Sequence, residues 1–128
     1  MSTKLSKNSS HEYFMQLALD QAYKNLGNTK ENPSVGCVIV KDGHLISAGS
    51  TSINGRPHAE KNAIFSSKSN LINTTLYSTL EPCSHFGKTH PCTNLILKKK
   101  INKVYFAIND PDDRSYKKCK KYLSKKKV

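Results

Sequence analysis

A His-x-Glu triplet and two separated cysteines constrain this chain more than any other feature. The triplet His58-Ala59-Glu60 stands where an apolar helical pattern begins, Pro82-Cys83 follows a strand-like run, and Cys92 precedes a second helical pattern. One imidazole and two thiolates are typical zinc ligands, and three protein ligands leave the fourth tetrahedral position open, as in catalytic zinc centres. The sequence therefore predicts a fold that brings His58, Cys83 and Cys92 together around a zinc ion.

Glu60 is the candidate catalytic residue of this site. It lies two residues after His58, so its carboxylate can reach the metal position without being a ligand. We expect it to accept a proton from the attacking water and to return protons to the substrate. Each residue alone has a commoner structural interpretation, such as a helix cap, a charge that complements the helix dipole, or a cysteine that packs in the core. The order and placement of all four favour the catalytic interpretation.

The remaining pattern predicts an α/β fold. Strand, helix and strand alternate in the second half of the chain, which indicates parallel pairing covered by helices. The two strands of a β-hairpin are expected before the His-x-Glu triplet, joined at Lys41-Asp42-Gly43. The predicted helices are 11–25, 58–67 and 93–99, with a basic helix at 115–125, and the predicted strands are 34–40, 44–49, 74–80 and 103–108.

Length and composition predict one compact domain. A chain of 128 residues with 36% hydrophobic content can build a single core. We expect one domain over residues 1–128, with a core at about 11–113 and a basic tail at 114–128. The sequence has no run of 18 uncharged apolar residues and no apolar segment typical of a secretory signal. These features predict a cytoplasmic protein without a membrane span.

The net charge of +12 raises the question of nucleic-acid binding. Of the 21 basic residues, only Arg56 and Arg114 are arginine, the residue better suited to phosphates and base edges. Eleven lysines fall after residue 97, which favours a solvated basic surface on the C-terminal part of the chain. Nucleic acid is therefore not the expected partner.

The other two cysteines have no metal motif around them. Cys37 lies inside the apolar run 35–40 and is expected to be a small buried hydrophobic residue, while Cys119 lies among lysines near the C-terminus. In the reducing compartment that the composition predicts, disulfides between the four cysteines are not expected.

Four segments together resemble the riboflavin-specific pyrimidine deaminase family. They are ENPSVGCVIVKDG, GRPHAEKNAI, LYSTLEPCSHFGKTHPC and AINDPDD, and the resemblance covers roughly residues 11–113. Eight residues separate Cys83 from Cys92, whereas nucleoside and nucleic-acid deaminases of this type place about two residues between their cysteines. The long spacing between the two cysteines therefore distinguishes this family from other zinc deaminases.

The resemblance implies a cytidine-deaminase-like three-layer α/β/α sandwich with a mixed central sheet. It implies hydrolytic deamination of the diaminopyrimidinone ribosylamino phosphate formed early in riboflavin synthesis, with release of ammonia. Lys88 is expected to bind the ribose phosphate as a point charge. The substrate-binding residues that it implies are Asn32, Thr51, Ala59, His85, Lys88 and Thr89.

The sequence departs from the family pattern at three places. Thr51 stands where the family often has His, and Asp112-Asp113 stand where it usually continues with Asn-Pro. Members are often fused to a reductase domain, but no Gly-rich dinucleotide fingerprint occurs in this sequence. We therefore expect either a separate reductase polypeptide or a reduced copy of the family, and a homo-oligomer is possible.

Two other functions remain open at this stage. A deaminase acting on a nucleic-acid base, of the tRNA adenosine type, would use the same chemistry and is favoured by the basic charge. A non-catalytic zinc-binding pseudoenzyme would need neither Glu60 nor an open coordination position. The long cysteine spacing opposes the first alternative, and the presence of Glu60 opposes the second.

Overall fold

The computed structural model describes residues 7–83 and 91–109, together with Cys119 and Leu123. Three helices and four strands form the described part of the chain. In chain order they are α1 (Lys7–Ala22), β1 (Gly36–Lys41), β2 (His44–Ser50), α2 (Ala59–Ser66), β3 (Thr75–Leu80), α3 (Cys92–Lys98) and β4 (Lys103–Ile108), with a 3₁₀ turn at Ile53–Gly55. No helix of the described residues is long and apolar enough to cross a bilayer.

The strands form one mixed sheet in the order β2-β1-β3-β4. β1 is antiparallel to both of its neighbours, β2 and β3. β3 and β4 are parallel, and Tyr77 of β3 lies opposite Tyr105 of β4. The predicted strand–helix–strand unit is confirmed, because α3 makes the crossover that a parallel pair requires.

Helices cover both faces of the sheet, because successive side chains of a strand point to opposite faces. Val38 and Val40 of β1 pack with Phe14 and Ala18 of α1. The alternate residues, including Cys37 and Ile39, belong to a second apolar cluster that contains Ala59 and Ala63 of α2. The predicted three-layer α/β/α sandwich is thus confirmed, and the buried position of Cys37 agrees with its expected packing role.

Glycine at one position of β2 lets α2 lie close to the sheet. A Cβ at Gly49 would overlap the backbone of Ala63 and Ala59, so any larger residue would push the helix outward. The Ser47 hydroxyl donates a hydrogen bond to Ala63 O of the same helix. This close contact determines where the N-terminus of α2 lies relative to the sheet.

Element boundaries differ from the prediction by a few residues at most. α1 ends at Ala22 instead of residue 25, because the chain turns there and reaches Gly27 with φ +88°. The hairpin turn is confirmed at Asp42 and Gly43, whose φ values of 51° and 78° suit a primed two-residue turn.

The C-terminal part of the chain contributes to the core. Cys119 and Leu123 are helical, and both are buried in the apolar cluster that contains Ile39 and Ala63. The lysine-rich surroundings of Cys119 did not indicate this burial. The rest of the predicted helix at 115–125 lies outside the described residues, as do Asp112 and Asp113.

Candidate metal centre and active site

His58 is held at the N-terminus of α2. Its backbone is extended, with φ −70° and ψ 162°, and it forms the N-cap of the helix. Its carbonyl oxygen accepts a hydrogen bond from Asn62 N at 3.1 Å. The Asn62 amide in turn donates to Ser50 O at 2.7 Å and to Ser52 Oγ at 2.8 Å. The end of β2 and the start of α2 therefore hold His58 in place together.

The two predicted cysteine ligands approach each other from β3 and α3. Cys83 follows the end of β3, and Cys92 is the first residue of α3. The Cys92 N–H donates to Cys83 Sγ at 3.2 Å, and the Thr93 N–H donates to Cys83 O at 3.3 Å. The first turn of α3 thus directs its free N–H groups at Cys83, which favours a thiolate there.

The three predicted ligands come together with the spacing that zinc requires. His58 Nδ1 lies 3.7 Å from Cys83 Sγ and 3.7 Å from Cys92 Sγ. The three ligand atoms all lie within 4.8 Å of one another. A tetrahedral zinc with ordinary bond lengths separates nitrogen from sulfur by about 3.6 Å. The donor set and its spacing therefore both fit zinc.

The two thiols have opposite proton affinities. The pKa of Cys83 is lowered to about 4 because its sulfur accepts hydrogen bonds from the Cys92 thiol, from His58 and from the Cys92 N–H. The pKa of Cys92 is raised because its thiol donates to Cys83 and is buried. One negative charge is thus stable in the protein alone, and a bound cation is what would favour the second thiolate.

Glu60 is buried beside the ligands. Its side chain is only 4% exposed, Oε2 lies 3.6 Å from Cys92 Sγ, and Oε1 accepts a hydrogen bond from Ser78 Oγ at 3.0 Å. Burial raises the pKa of Glu60 above its ordinary value. A carboxyl group with a raised pKa next to a metal position is suited to accept a proton and return it.

The structure describes three of the six predicted substrate-binding residues. Asn32 is half-buried and donates from Nδ2 to Gly55 O at 2.9 Å, close in sequence to His58. Ala59 is fully buried as the first residue of α2. Thr51 is 1% exposed, and its Oγ1 accepts from Val35 N at 2.9 Å. This geometry favours a supporting role for Thr51 over direct contact, and its predicted substrate contact stays a prediction.

The other three predicted residues, His85, Lys88 and Thr89, lie outside the described residues. They belong to the segment between Cys83 and Cys92, which joins two predicted metal ligands. Their roles stay predictions.

Two residues near the site had not been predicted from the sequence. Ser78 contacts Glu60, and Glu81 is a buried carboxylate that accepts a hydrogen bond from Cys119 N at 2.8 Å. The sequence signal available for Ser78 was that it is a polar residue inside the strand β3. No periodicity in the sequence indicated the contact between Glu81 and the distant Cys119.

Comparison with known proteins agrees with this geometry. Residues 8–108 match the family described as the cytidine and deoxycytidylate deaminase zinc-binding region. Riboflavin biosynthesis protein RibD of Actinobacillus pleuropneumoniae is 43% identical over 99 residues, which are 77% of this chain and 26% of that protein. RibD of Aquifex aeolicus is 44% identical over 77% of this chain and 28% of that protein.

Solved structures show the same similarity. A structure of Acinetobacter baumannii RibD superimposes with a TM-score of 0.88 at 40% identity, covering 94% of this chain and 34% of that one. A diaminohydroxyphosphoribosylaminopyrimidine deaminase/5-amino-6-(5-phosphoribosylamino)uracil reductase of Thermotoga maritima gives 0.85 at 40% identity, covering 93% and 35%. The dCMP deaminase of cyanophage S-TIM5, at 24% identity and a TM-score of 0.65, supports the fold alone.

This chain spans about a quarter to a third of the length of the RibD proteins that it matches. The zinc prediction is confirmed by the match to a zinc-binding family together with the grouping of His58, Cys83 and Cys92. By the match over residues 8–108, the chain belongs to the cytidine and deoxycytidylate deaminase zinc-binding family.

Proposed function

We propose that this chain is a zinc-dependent hydrolase that deaminates the diaminopyrimidinone ribosylamino phosphate of riboflavin biosynthesis. The products are the corresponding aminouracil ribosylamino phosphate and ammonia. The observation that carries the proposal is the placement of His58 Nδ1 at 3.7 Å from both cysteine sulfurs, with the buried Glu60 beside them. The deaminase/reductase of Thermotoga maritima, which is 40% identical to this chain, is named for this pyrimidine and supports the choice of substrate. The RibD proteins that are 43–44% identical support the assignment to riboflavin biosynthesis.

His58, Cys83 and Cys92 would hold the zinc, and Glu60 would move the protons. Bound zinc lowers the pKa of water from 15.7 to roughly 7 and so supplies a nucleophile at neutral pH. Glu60 would accept a proton from the attacking water and deliver it to the ring nitrogen. It would then take the second proton from the hydroxyl group added to the ring carbon and deliver it to the departing amine, which leaves as ammonia.

Substrate recognition is proposed to involve the six substrate-binding residues predicted from the sequence. Asn32 would read the polar edge of the pyrimidine, since its hydrogen bond to Gly55 O fixes the side chain near the loop before His58. Ala59, His85 and Thr89 would add further contacts with the substrate, and the buried Thr51 would support the site through its hydrogen bond from Val35 N. Lys88 would bind the ribose phosphate through its charge.

The Lys88 proposal has a direct test. Charge-assisted contacts are worth about 1.5–3 kcal/mol, so Lys88→Met should lower kcat/KM by roughly ten- to a hundredfold through KM, with zinc content unchanged. The dephosphorylated substrate is the control, because it should lose little more with the variant. An equal loss for both substrates would refute the phosphate contact.

We further propose that residues 1–128 form one domain that performs deamination only. The Thermotoga maritima relative is a deaminase/reductase by name, and this sequence has no Gly-rich dinucleotide fingerprint. Reduction of the ribosyl group would then depend on residues outside this sequence. Oligomeric state and a cytoplasmic location stay predictions.

The two alternative functions are not favoured. The RibD relatives are 43–44% identical over 99 residues and are named for riboflavin biosynthesis, which opposes a nucleic-acid base as substrate. The buried Glu60 lies within 3.6 Å of a predicted ligand sulfur, where a non-catalytic zinc module would have no use for it.

A substrate comparison tests the proposed function. Zinc-loaded protein is incubated with the pyrimidine phosphate, cytidine, dCMP and a tRNA, and ammonia and product mass are measured with and without NADPH. We expect ammonia from the pyrimidine phosphate alone and an unreduced ribosyl product in both conditions. Deamination of the tRNA or of dCMP in preference to the pyrimidine phosphate would contradict the proposal, and a ribityl product would contradict the deamination-only assignment.

A further inference from the structure

Ser78 is a buried serine of β3 whose hydroxyl contacts the carboxyl group of Glu60. Its Oγ lies 3.0 Å from Glu60 Oε1, and the two side chains are 0% and 4% exposed. In the sheet, Ser78 is paired with Cys37 of β1 on one side and with Phe106 of β4 on the other. The hydroxyl therefore projects from a strand that is held on both sides toward a carboxyl group in the first turn of α2.

The same hydroxyl has a second partner. Ser78 Oγ lies 2.7 Å from Leu80 O and 3.4 Å from Leu80 N. A serine hydroxyl has one proton to donate and two lone pairs that accept. It can donate to Glu60 when the carboxyl group is ionised, or donate to Leu80 O while accepting from Glu60 when that group carries a proton. A rotation of the hydroxyl is enough to exchange these arrangements.

We propose that Ser78 is a positioning residue that fixes the Glu60 carboxyl group beside the metal ligands throughout the proton transfers. The inference rests on the proposed function, in which Glu60 alternates between its ionised and protonated forms. Without the hydroxyl, Glu60 would keep its acid–base chemistry but lose a fixed orientation, and small misplacements of a catalytic group are costly. The loss should therefore appear in kcat, while KM and zinc content stay near their parental values.

The kinetic test compares two buried serines. Ser78→Ala removes the contact with Glu60. Ser47→Ala removes a buried hydroxyl that donates to Ala63 O, in the helix α2 that also carries Glu60. We expect kcat of Ser78→Ala to fall roughly tenfold to a hundredfold with one zinc per chain retained, and kcat of Ser47→Ala to stay within about twofold of the parent. Ser78→Cys, with a weaker donor of similar size, should give an intermediate kcat.

Several results would overturn the inference. A parental kcat for Ser78→Ala would show that the contact is not used, and an equal fall for Ser47→Ala would indicate a general packing effect. Loss of zinc from Ser78→Ala would assign the residue to metal support instead. If Ser78→Ala does not fold, Ser78→Cys decides, and a parental kcat for that variant overturns the proposal.

A second measurement separates this inference from the proposed function. The melting temperatures of zinc-loaded Ser78→Ala, Glu60→Ala and the double variant form a double-mutant cycle. We expect the two single shifts not to add, because the residues are in contact, and additive shifts would overturn the inference even where no ammonia can be measured. A parent that releases no ammonia from the pyrimidine phosphate contradicts the proposed function by itself.

Discussion

The two site cysteines differ in their surroundings, although both sulfurs face His58 Nδ1. Cys83 is half-buried and accepts several hydrogen bonds, whereas Cys92 is fully buried. Cys37 and Cys119 are also fully buried. Burial raises the pKa of Cys37 well above its ordinary value and that of Cys119 to about 12. These differences make the reactivity of the four thiols a test of the site.

Metal removal should expose Cys83 to alkylation first. With its pKa lowered to about 4, Cys83 is a thiolate at neutral pH and remains one at pH values where an ordinary thiol, with a pKa of about 8.5, is protonated. We expect iodoacetamide to modify Cys83 first in chelator-treated protein at about pH 6, as measured by peptide mass spectrometry.

Zinc provides the control for this experiment. Zinc-loaded protein should resist alkylation at Cys83, because the sulfur would be a ligand. First modification at Cys37 or Cys119, or alkylation of Cys83 at the same rate with and without zinc, would contradict the assigned surroundings.

At the scale of elements, α2 carries both His58 and Glu60 and depends on Gly49 for its position. A Cβ at Gly49 would overlap backbone atoms of α2, which cannot yield as a flexible side chain can. Gly49→Ala should therefore lower the free energy of unfolding by about 1–3 kcal/mol or more and weaken zinc binding, since the N-terminus of the helix would shift. Urea unfolding and a zinc titration measure the two effects.

Gly43→Ala is the matched control for Gly49→Ala. Gly43 has a φ of +78° but no atom within 4 Å of an added Cβ. The substitution Gly43→Ala should therefore cost only backbone strain of about 1–2 kcal/mol. Its zinc affinity should equal that of the parent. If Gly49→Ala bound zinc as tightly as Gly43→Ala, the close contact with β2 would not be what positions the ligand.

Sequence patterns predicted the elements well, and the contacts between them poorly. The continuous apolar run of β1 and the turn at Asp42-Gly43 are local properties, and the structure confirms both. The end of α1 was placed three residues too late, because the apolar spacing continues to Leu26 beyond the turn at Tyr23. The bond between Ser78 and Glu60 joins residues from different elements, and a single sequence carries no signal for such pairing.

Zinc-ligand chemistry explains why the metal centre could be predicted when other contacts could not. A catalytic zinc site needs particular residue types in a particular order, so His58, Cys83 and Cys92 were recognisable without their geometry. Cys119 is buried because the C-terminal part of the chain packs on the core. The lysines around Cys119 in the sequence did not indicate this burial. Packing of this kind is set by the whole molecule.

At the scale of the whole molecule, the C-terminal part of the chain helps to close the core. Leu123 is 4% exposed and belongs to the same apolar cluster as Ala63 of α2. Leu123→Ala should lower the free energy of unfolding by about 2–5 kcal/mol, the usual cost of truncating a buried leucine. Chemical denaturation of the zinc-loaded protein measures the change.

The same substitution at an exposed leucine is the control. Leu26 is 62% exposed, so Leu26→Ala should change the free energy of unfolding by only about 0.5 kcal/mol. Equal effects at the two positions would mean that the C-terminal part does not contribute to the core in solution.

A zinc titration of metal-free protein, with ammonia release from the pyrimidine phosphate measured at each step, tests the central claim most directly. The account predicts that the rate rises with bound zinc and stops rising at one zinc per chain. It also predicts that Glu60→Gln binds the same zinc but releases ammonia at least roughly a hundredfold more slowly. A rate that does not depend on zinc, or a Glu60→Gln variant as active as the parent, would contradict it.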